Sequence, residues 1–357
     1  MRSLFALLAL PLLSGCANVA YYWQGIRGEL DILERAQPIP AVIETTSDAT
    51  LKRKLERSIA IRDYASRELA LPDNGSYRTY ADIGRRFVLW NVIATPELSL
   101  EPRQWCFPIA GCVNYRGYFE EASAKSEAVQ FSVAGDDVHI GGVPAFSTLG
   151  YFNDPILSTF IRYPDPEVAR LIFHELAHQV AYAKDDSVFN ESFAVLVEEE
   201  GVERWLAAQS DPALTAQFAS TQRYREGFRA LVDRTRTQLA ALYASNASVE
   251  DKRASKAAVF AQMRAEYAAL KVQWGGSAGY DAWFAQGPTN ASLAAAALYS
   301  RKVPEFRALF IAEGGNLPRF YARVQELARM PKEQRNRELA NAGMPPAPGQ
   351  AARVVTP

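Results

Sequence analysis

Histidine and cysteine are scarce in this 357-residue chain, with three of each. So few cysteines exclude a small disulfide-framework protein. Charge of one sign is lacking as well. The 39 basic and 40 acidic side chains leave no basic excess to neutralise nucleic-acid phosphates, and no Lys/Arg block to grip an anionic surface. Nucleic acid is therefore not an expected partner. Beyond the first residues no apolar run is long enough to cross a bilayer. The apolar fraction is ordinary for globular protein and the length is ample for a buried core.

The rare residues are concentrated. Two of the three histidines fall in His174-Glu175-Leu176-Ala177-His178, an HExxH motif. On a helix, positions i and i+4 share a face, so these two imidazoles can pinch one metal ion. Glu175 sits beside the pair and can reach an open coordination position, where a water would be activated. The flanking sequence predicts the helix. Asp165-Pro166-Glu167 offers an N-cap acid, a proline at the first helical position and a first-turn acid. Val168, Leu171, Ile172, Phe173, Leu176 and Val180 supply apolar positions at helical spacing. Residues 184–187 have loop and N-cap chemistry, and a second helical pattern begins near Phe189.

Catalytic zinc takes three protein ligands and keeps one exchangeable water. A histidine ten places after the first would complete one known pattern, but Lys184 stands there. His139, in a strand-like segment, reads as a structural or exposed strand residue. Glu191 is the better third ligand, because a short turn folds the second helix back over the first. Glu198, seven residues on along the same face, can orient a ligand histidine by accepting its other N–H.

HELAHQ followed by FNESFAVLVE resembles the gluzincin metallopeptidases, whose HExxH helix is followed by a helix supplying a glutamate ligand. The second block is similar to the NEGFA segment of aminopeptidases in that group. The stretches at 71–77, 105–112 and 146–150 resemble, together with the zinc motif, a bacterial family of predicted aminopeptidases. The resemblance implies an α+β, mostly helical fold with a gluzincin-like core. It also implies His174, His178 and Glu191 as zinc ligands, and Glu175 as general base and acid in peptide hydrolysis. One departure stands out: those aminopeptidases carry a GxMEN segment whose glutamate holds the substrate's free amine, and residues 141–146 here contain no acid. Aminopeptidase and endopeptidase readings of a peptide or protein substrate both stay open. The rival from another class is a non-catalytic zinc-binding scaffold of the envelope, though structural zinc usually closes four ligands. For the oxyanion donor, Tyr280 and Tyr299 are both open.

The N-terminus reads Met1-Arg2, an apolar run over 4–13, then Leu13-Ser14-Gly15-Cys16. This pattern is a secretory signal, too short to span a bilayer. Its ending resembles a bacterial lipobox, which implies cleavage before Cys16 and lipidation there. The alternative is an ordinary signal with an incidental cysteine. Ala17 in place of aspartate favours the outer membrane, facing the periplasm, with acyl chains as the anchor. In an exported chain Cys106 and Cys112 are expected to form a disulfide, worth roughly 2 kcal/mol for so short a loop. Metal binding is the rival use, but their spacing suits no common zinc motif.

The expected organisation is a signal peptide at 1–15, a lipidated tether and first helix at 16–40, and a metallopeptidase core at 41–205. A helical domain at 206–340 and a disordered, Pro- and Ala-rich tail at 341–357 follow. Strands are expected at 87–93 and 138–143. The second either borders the cleft beside extended substrate, or is a core strand whose glycines permit close backbone approach. Residues 211–242 and 249–270 should form an antiparallel helical hairpin, and shorter helices should follow at 290–301, 304–313 and 317–329.

Overall fold

The computed structural model describes the backbone of residues 4–107, 111–299 and 301–342, with side chains from residue 19 onward. Helix α1 (Leu4–Arg35), strand β1 (Gln37–Pro38), and helices α2 (Ile39–Thr45) and α3 (Ala49–Arg67) come first. Asp48 caps α3 by accepting from the amides of Thr50 and Leu51. A strand-rich stretch follows: β2 (Thr79–Ala81), β3 (Leu89–Pro96), β4 (Trp105–Phe107), β5 (Gly111–Val113) and β6 (Arg116–Tyr118). Helix α4 (Glu121–Val133), β7 (Asp136–Val143) and β8 (Ile156–Leu157) complete it. The remainder is helical: α5 (Asp165–Val180), α6 (Ser187–Gln209), α7 (Pro212–Ala244), α8 (Val249–Gln273) and α9 (Asp281–Ala285). Then come α10 (Asn290–Leu298), α11 (Val303–Ala312), α12 (Leu317–Ala328) and α13 (Lys332–Asn341). The fold is mostly helical with small sheets, α+β as expected.

The two expected strands are β3 and β7, and they pair antiparallel along their full length, from Leu89 opposite Val143 to Pro96 opposite Asp136. Strand β6 flanks β3 on its other side. Helix α4 closes over this sheet through Ala124 and Ala128, which pack with Val92 and Tyr118. Sequence reading passed over α4 because alanines four apart are too small to mark an apolar face. Cys106 and Cys112 face each other across the β4–β5 pair and are bonded, with an S–S distance of 1.98 Å.

The start of α5 differs by one residue from the expected cap. Pro164 holds the N-cap position, and Asp165 lies in the first turn with Glu167. Asp165 is held there by Lys54 of α3 at 2.6 Å, and both acids meet the positive end of the helix.

The helices after α6 contribute to two cores. Helices α7 and α8 form the expected hairpin and, with α9, surround Phe228, Val232, Phe260 and Tyr267. Helices α11 and α12 instead join the main core, where Phe306 and Phe320 pack on Phe193 of α6, with ring centroids 5.9 and 5.8 Å away. The apolar faces of these short helices are completed by the metal-motif helices, a partnership that spacing within each helix does not encode.

One face of α1 packs on the body: Tyr21 stacks on Phe107, Gln24 accepts from the Phe119 amide, and Ile32 is buried. Its other side carries Val19, Tyr22, Trp23, Ile26 and Leu30, all exposed. No helix among the described residues is long and apolar enough to cross a membrane. The side chain of Cys16, with its expected lipidation, and most of the expected tail lie outside the described residues.

Arg62 of α3 is fully buried and donates to the carbonyls of Ser76, Pro72 and Asn74 and to Ser66 Oγ. The loop it gathers then braces α5: Asn74 Nδ2 donates to Gln179 Oε1 at 2.7 Å, and Gln179 donates back to Ser76 Oγ. Replacing Arg62 by Met strands the buried Ser76 carbonyl and removes the donor from the half-buried carbonyls of Pro72 and Asn74, so we expect a loss of roughly 2 kcal/mol in urea unfolding. An unchanged midpoint would contradict that role.

Candidate metal centre

Helices α5 and α6 lie side by side and antiparallel, with His174 against Glu198 and His178 near Glu191. The link between them is tightly closed. Asn190 donates to the Ala183 carbonyl and accepts from its amide, Asp186 accepts from the Phe189 amide, and Arg335 of α13 pairs with Asp186 at 2.8 Å. This short turn turns Glu191 toward the two histidines. Ligand atoms of His174, His178 and Glu191 all lie within 4.8 Å of one another, and all three residues are buried.

Around this cluster each charge has a reason. His174 Nδ1 donates to Glu198 Oε2 at 2.8 Å, and its Nε2 lies 3.2 Å from Glu191 Oε2. Glu198 also receives Arg170 at 2.9 Å. Arg170 bonds Glu167 in turn, which Arg225 of α7 also reaches. Burial works against ionising Glu198, yet Arg170 and His174 outweigh it and hold the carboxyl at about 2. Burial likewise opposes charging His174, but its hydrogen bonds to Glu191 and Glu198 push it up to about 10. His178 is driven down to about 4 by burial, and its Nδ1 is buried without a partner. Burial raises Glu175 to about 8, opposed by His174.

These states fit a cation. Glu191 is held ionised, its burial outweighed by the two histidines, and His178 is neutral and ready to donate a lone pair. The imidazolium of His174 supplies positive charge between two carboxylates, a place a divalent ion can take while releasing the proton. Two imidazole nitrogens and one carboxylate are a donor set that suits zinc. Glu175 lies beside them and lines the same cleft.

The cluster opens on a cleft of about 440 Å³. Leu89 and Asn91 of β3, Val143 of β7, the segment 144–147, and Tyr115, Tyr182 and Tyr299 line it. Val143 is thus the part of the expected cleft strand that reaches the site. Tyr299, the C-cap of α10, has its ring centroid 6.2 Å from that of His174. Tyr280 does not line the cleft; it stacks on Phe228 in the second core at 4.0 Å. Tyr115 and Tyr182 were missed by sequence reading. Neither had a signal: Tyr182 follows the extended Ala181 that ends α5, where helical spacing no longer applies, and Tyr115 arrives only through the β5–β6 turn.

Residues 20–339 match the family described as "Putative aminopeptidase". The chain belongs to that family. No curated protein and no solved structure matches it. The matched span takes in the whole metal cluster, the cleft and both helical cores, and the family's description points to peptidase activity.

His139 lies opposite Ile93 on the β3–β7 pair, outside the cluster and the cleft. Burial lowers it from 6.5 to about 4. A histidine with a depressed folded pKa contributes its full share above pH 6.5 and loses it as the unfolded chain takes up the proton. Between pH 7 and 5.5 the loss amounts to about 1 kcal/mol. His139→Gln should therefore flatten the stability decline over that interval in denaturant titrations; an identical decline in both proteins would contradict the burial of a neutral imidazole.

Proposed function

We propose that the chain is a zinc-dependent peptidase of the gluzincin type, acting as an aminopeptidase. The observation that carries this reading is the buried triad of His174, His178 and Glu191, with Glu175 beside it in the cleft. Three ligands with an acid at the water position are the arrangement of a catalytic site; a closed structural site takes four. Zinc held there would supply Lewis-acid polarisation of the scissile carbonyl and acidify a water.

The chain's own residues do the rest. Glu198 accepts the Nδ1 proton of His174, which fixes the tautomer and turns Nε2 toward the triad. Arg170 holds Glu198 in place and keeps it ionised. With a divalent cation in the triad, the Glu175 carboxyl comes down from about 8, so that it takes a proton from the attacking water and delivers it to the leaving amine nitrogen, one carboxylate serving both halves of the cleavage. Tyr299 is the oxyanion donor favoured by position, since its phenol stands at the cleft beside His174. The wall of Leu89, Val143 and Phe146 offers apolar surface to a substrate side chain.

Glu175→Gln keeps size and helix position but removes the base. We expect peptide hydrolysis to fall by about a hundredfold or more while bound zinc is retained. Full activity in that variant would sink the mechanism, and a zinc-loaded wild type that cleaves no peptide in a broad library would favour the scaffold.

An endopeptidase is the second reading, supported by the cleft's acids. Those lining it are Glu175, Glu191 and Glu198, each already assigned, so among the described lining residues none is spare to hold a substrate ammonium. A peptide-library digest separates the two by whether cuts are terminal or internal.

We also propose lipid anchoring through Cys16 to the outer membrane, facing the periplasm. It is supported by the lipobox-like Leu13-Ser14-Gly15-Cys16 and by the exposed aromatic and aliphatic face of α1 directly after it. Cys16→Ser should move the protein out of the membrane fraction or leave an unprocessed precursor. Membrane fractionation identical to wild type would exclude the anchor.

A further inference from the structure

A second concavity, of about 380 Å³, shares no lining residue with the metal cleft. It lies between the first turn of α6, helix α10 and the start of α13. Four cations line it: Arg236, Arg301, Lys302 and Lys332. The acids there are Glu101, Glu305 and Asp186, and Asp186 is already paired with Arg335 at 2.8 Å. A local cationic excess is notable in a chain whose formal net charge is −1.

Several polar atoms in this concavity lack partners. Arg236 Nη1 is buried with no hydrogen bond, and so is the Oγ of Ser187, a residue only 5% exposed. Ser187 opens α6, a helix of 23 residues, whose N-terminal amides and macrodipole favour an anion. Arg236 and Arg301 also line the adjoining concavity of about 630 Å³, so both residues stand where two hollows meet. Guanidinium, hydroxyl and helix N-terminus together are the donors that cradle a tetrahedral oxyanion. Glu305 Oε2 is buried there without a partner as well, which calls for a donor elsewhere on the same occupant.

We propose that this concavity binds a phosphate ester carrying a hydroxyl or ammonium group. Arg236, Arg301 and Ser187 hold the phosphate, and Glu305 accepts from the donor end. Such a group can come from a free small molecule or from a phospholipid headgroup. Ser187 stands one helical turn before Glu191, and Arg301 two residues after Tyr299, so the occupant touches both segments that frame the metal cleft. The binding itself does not depend on the peptidase reading.

The test is thermal unfolding of the full chain in detergent against O-phosphoethanolamine and inorganic phosphate, with co-sedimentation on phosphatidylethanolamine vesicles as the lipid arm. In wild type, phosphoethanolamine should raise the unfolding temperature at lower concentration than phosphate. In Arg236→Gln and in the more exposed Arg301→Gln its half-effective concentration should rise at least tenfold, and Glu305→Gln should remove its advantage over phosphate. Vesicle binding that needs Arg301, with no response to the free ester, supports the site and assigns it to a lipid headgroup. No response in either arm, or equal responses in wild type and both arginine variants, would overturn the proposal.

Discussion

The constraint on which the rest depends is the burial of charge between α5 and α6. Three acidic side chains and two imidazoles are buried together beside the cleft, and an isolated buried charge costs several kcal/mol. For His174, Glu191 and Glu198 that cost is offset by setting each against an opposite charge. His174 therefore lies between Glu191 and Glu198, and Glu198 in turn lies against Arg170. The ion-pair chain continues outward through Glu167 to Arg225 on α7. This ties the second core to the metal helix, so the placement of one imidazole is held by elements far apart in sequence.

Much of this was legible in the sequence, for physical reasons that can be named. An HExxH spacing fixes two side chains on one helical face whatever surrounds it. A six-residue link after α5 leaves α6 little choice but to return along it, which is why Glu191 and, two turns later, Glu198 could be placed. The hairpin of α7 and α8 was equally readable, since long helices rich in helix formers carry their own signal. Illegible were the features that depend on who packs against whom. The cleft lining draws on β3, β7 and the β5–β6 turn, and Asn91 is placed there by pairing with Gly117 and Gly141 in the neighbouring strands. Strands as short as β6 have too few residues for a period to emerge. Arg62 and Arg170 carry no signal in their own helices, yet one gathers a loop and the other fixes Glu198.

The loop at 71–77 shows how a resemblance can precede its explanation. Its residues marked a family before any role was visible. In the fold they wrap Arg62 and pass Asn74 and Ser76 to Gln179, one residue beyond His178. The disulfide-bonded β4–β5 pair does similar work just past the same end, where the Cys112 amide donates to Asp185 in the turn leading to α6. The motif helix is thus braced at its C-terminal end from two sides, which suits a site whose ligands must keep their spacing whether or not a metal is present.

The central claim is that His174, His178 and Glu191 form one metal site. Zinc-edge X-ray absorption on the purified full chain, combined with metal analysis, tests it most directly. The account predicts about one zinc per chain, bound by two imidazole nitrogens and a carboxylate oxygen with an exchangeable light-atom ligand. In Glu191→Ala the site should empty or lose that carboxylate oxygen. Zinc bound through sulfur, an unchanged spectrum in Glu191→Ala, or a chain that holds no metal at all would contradict it.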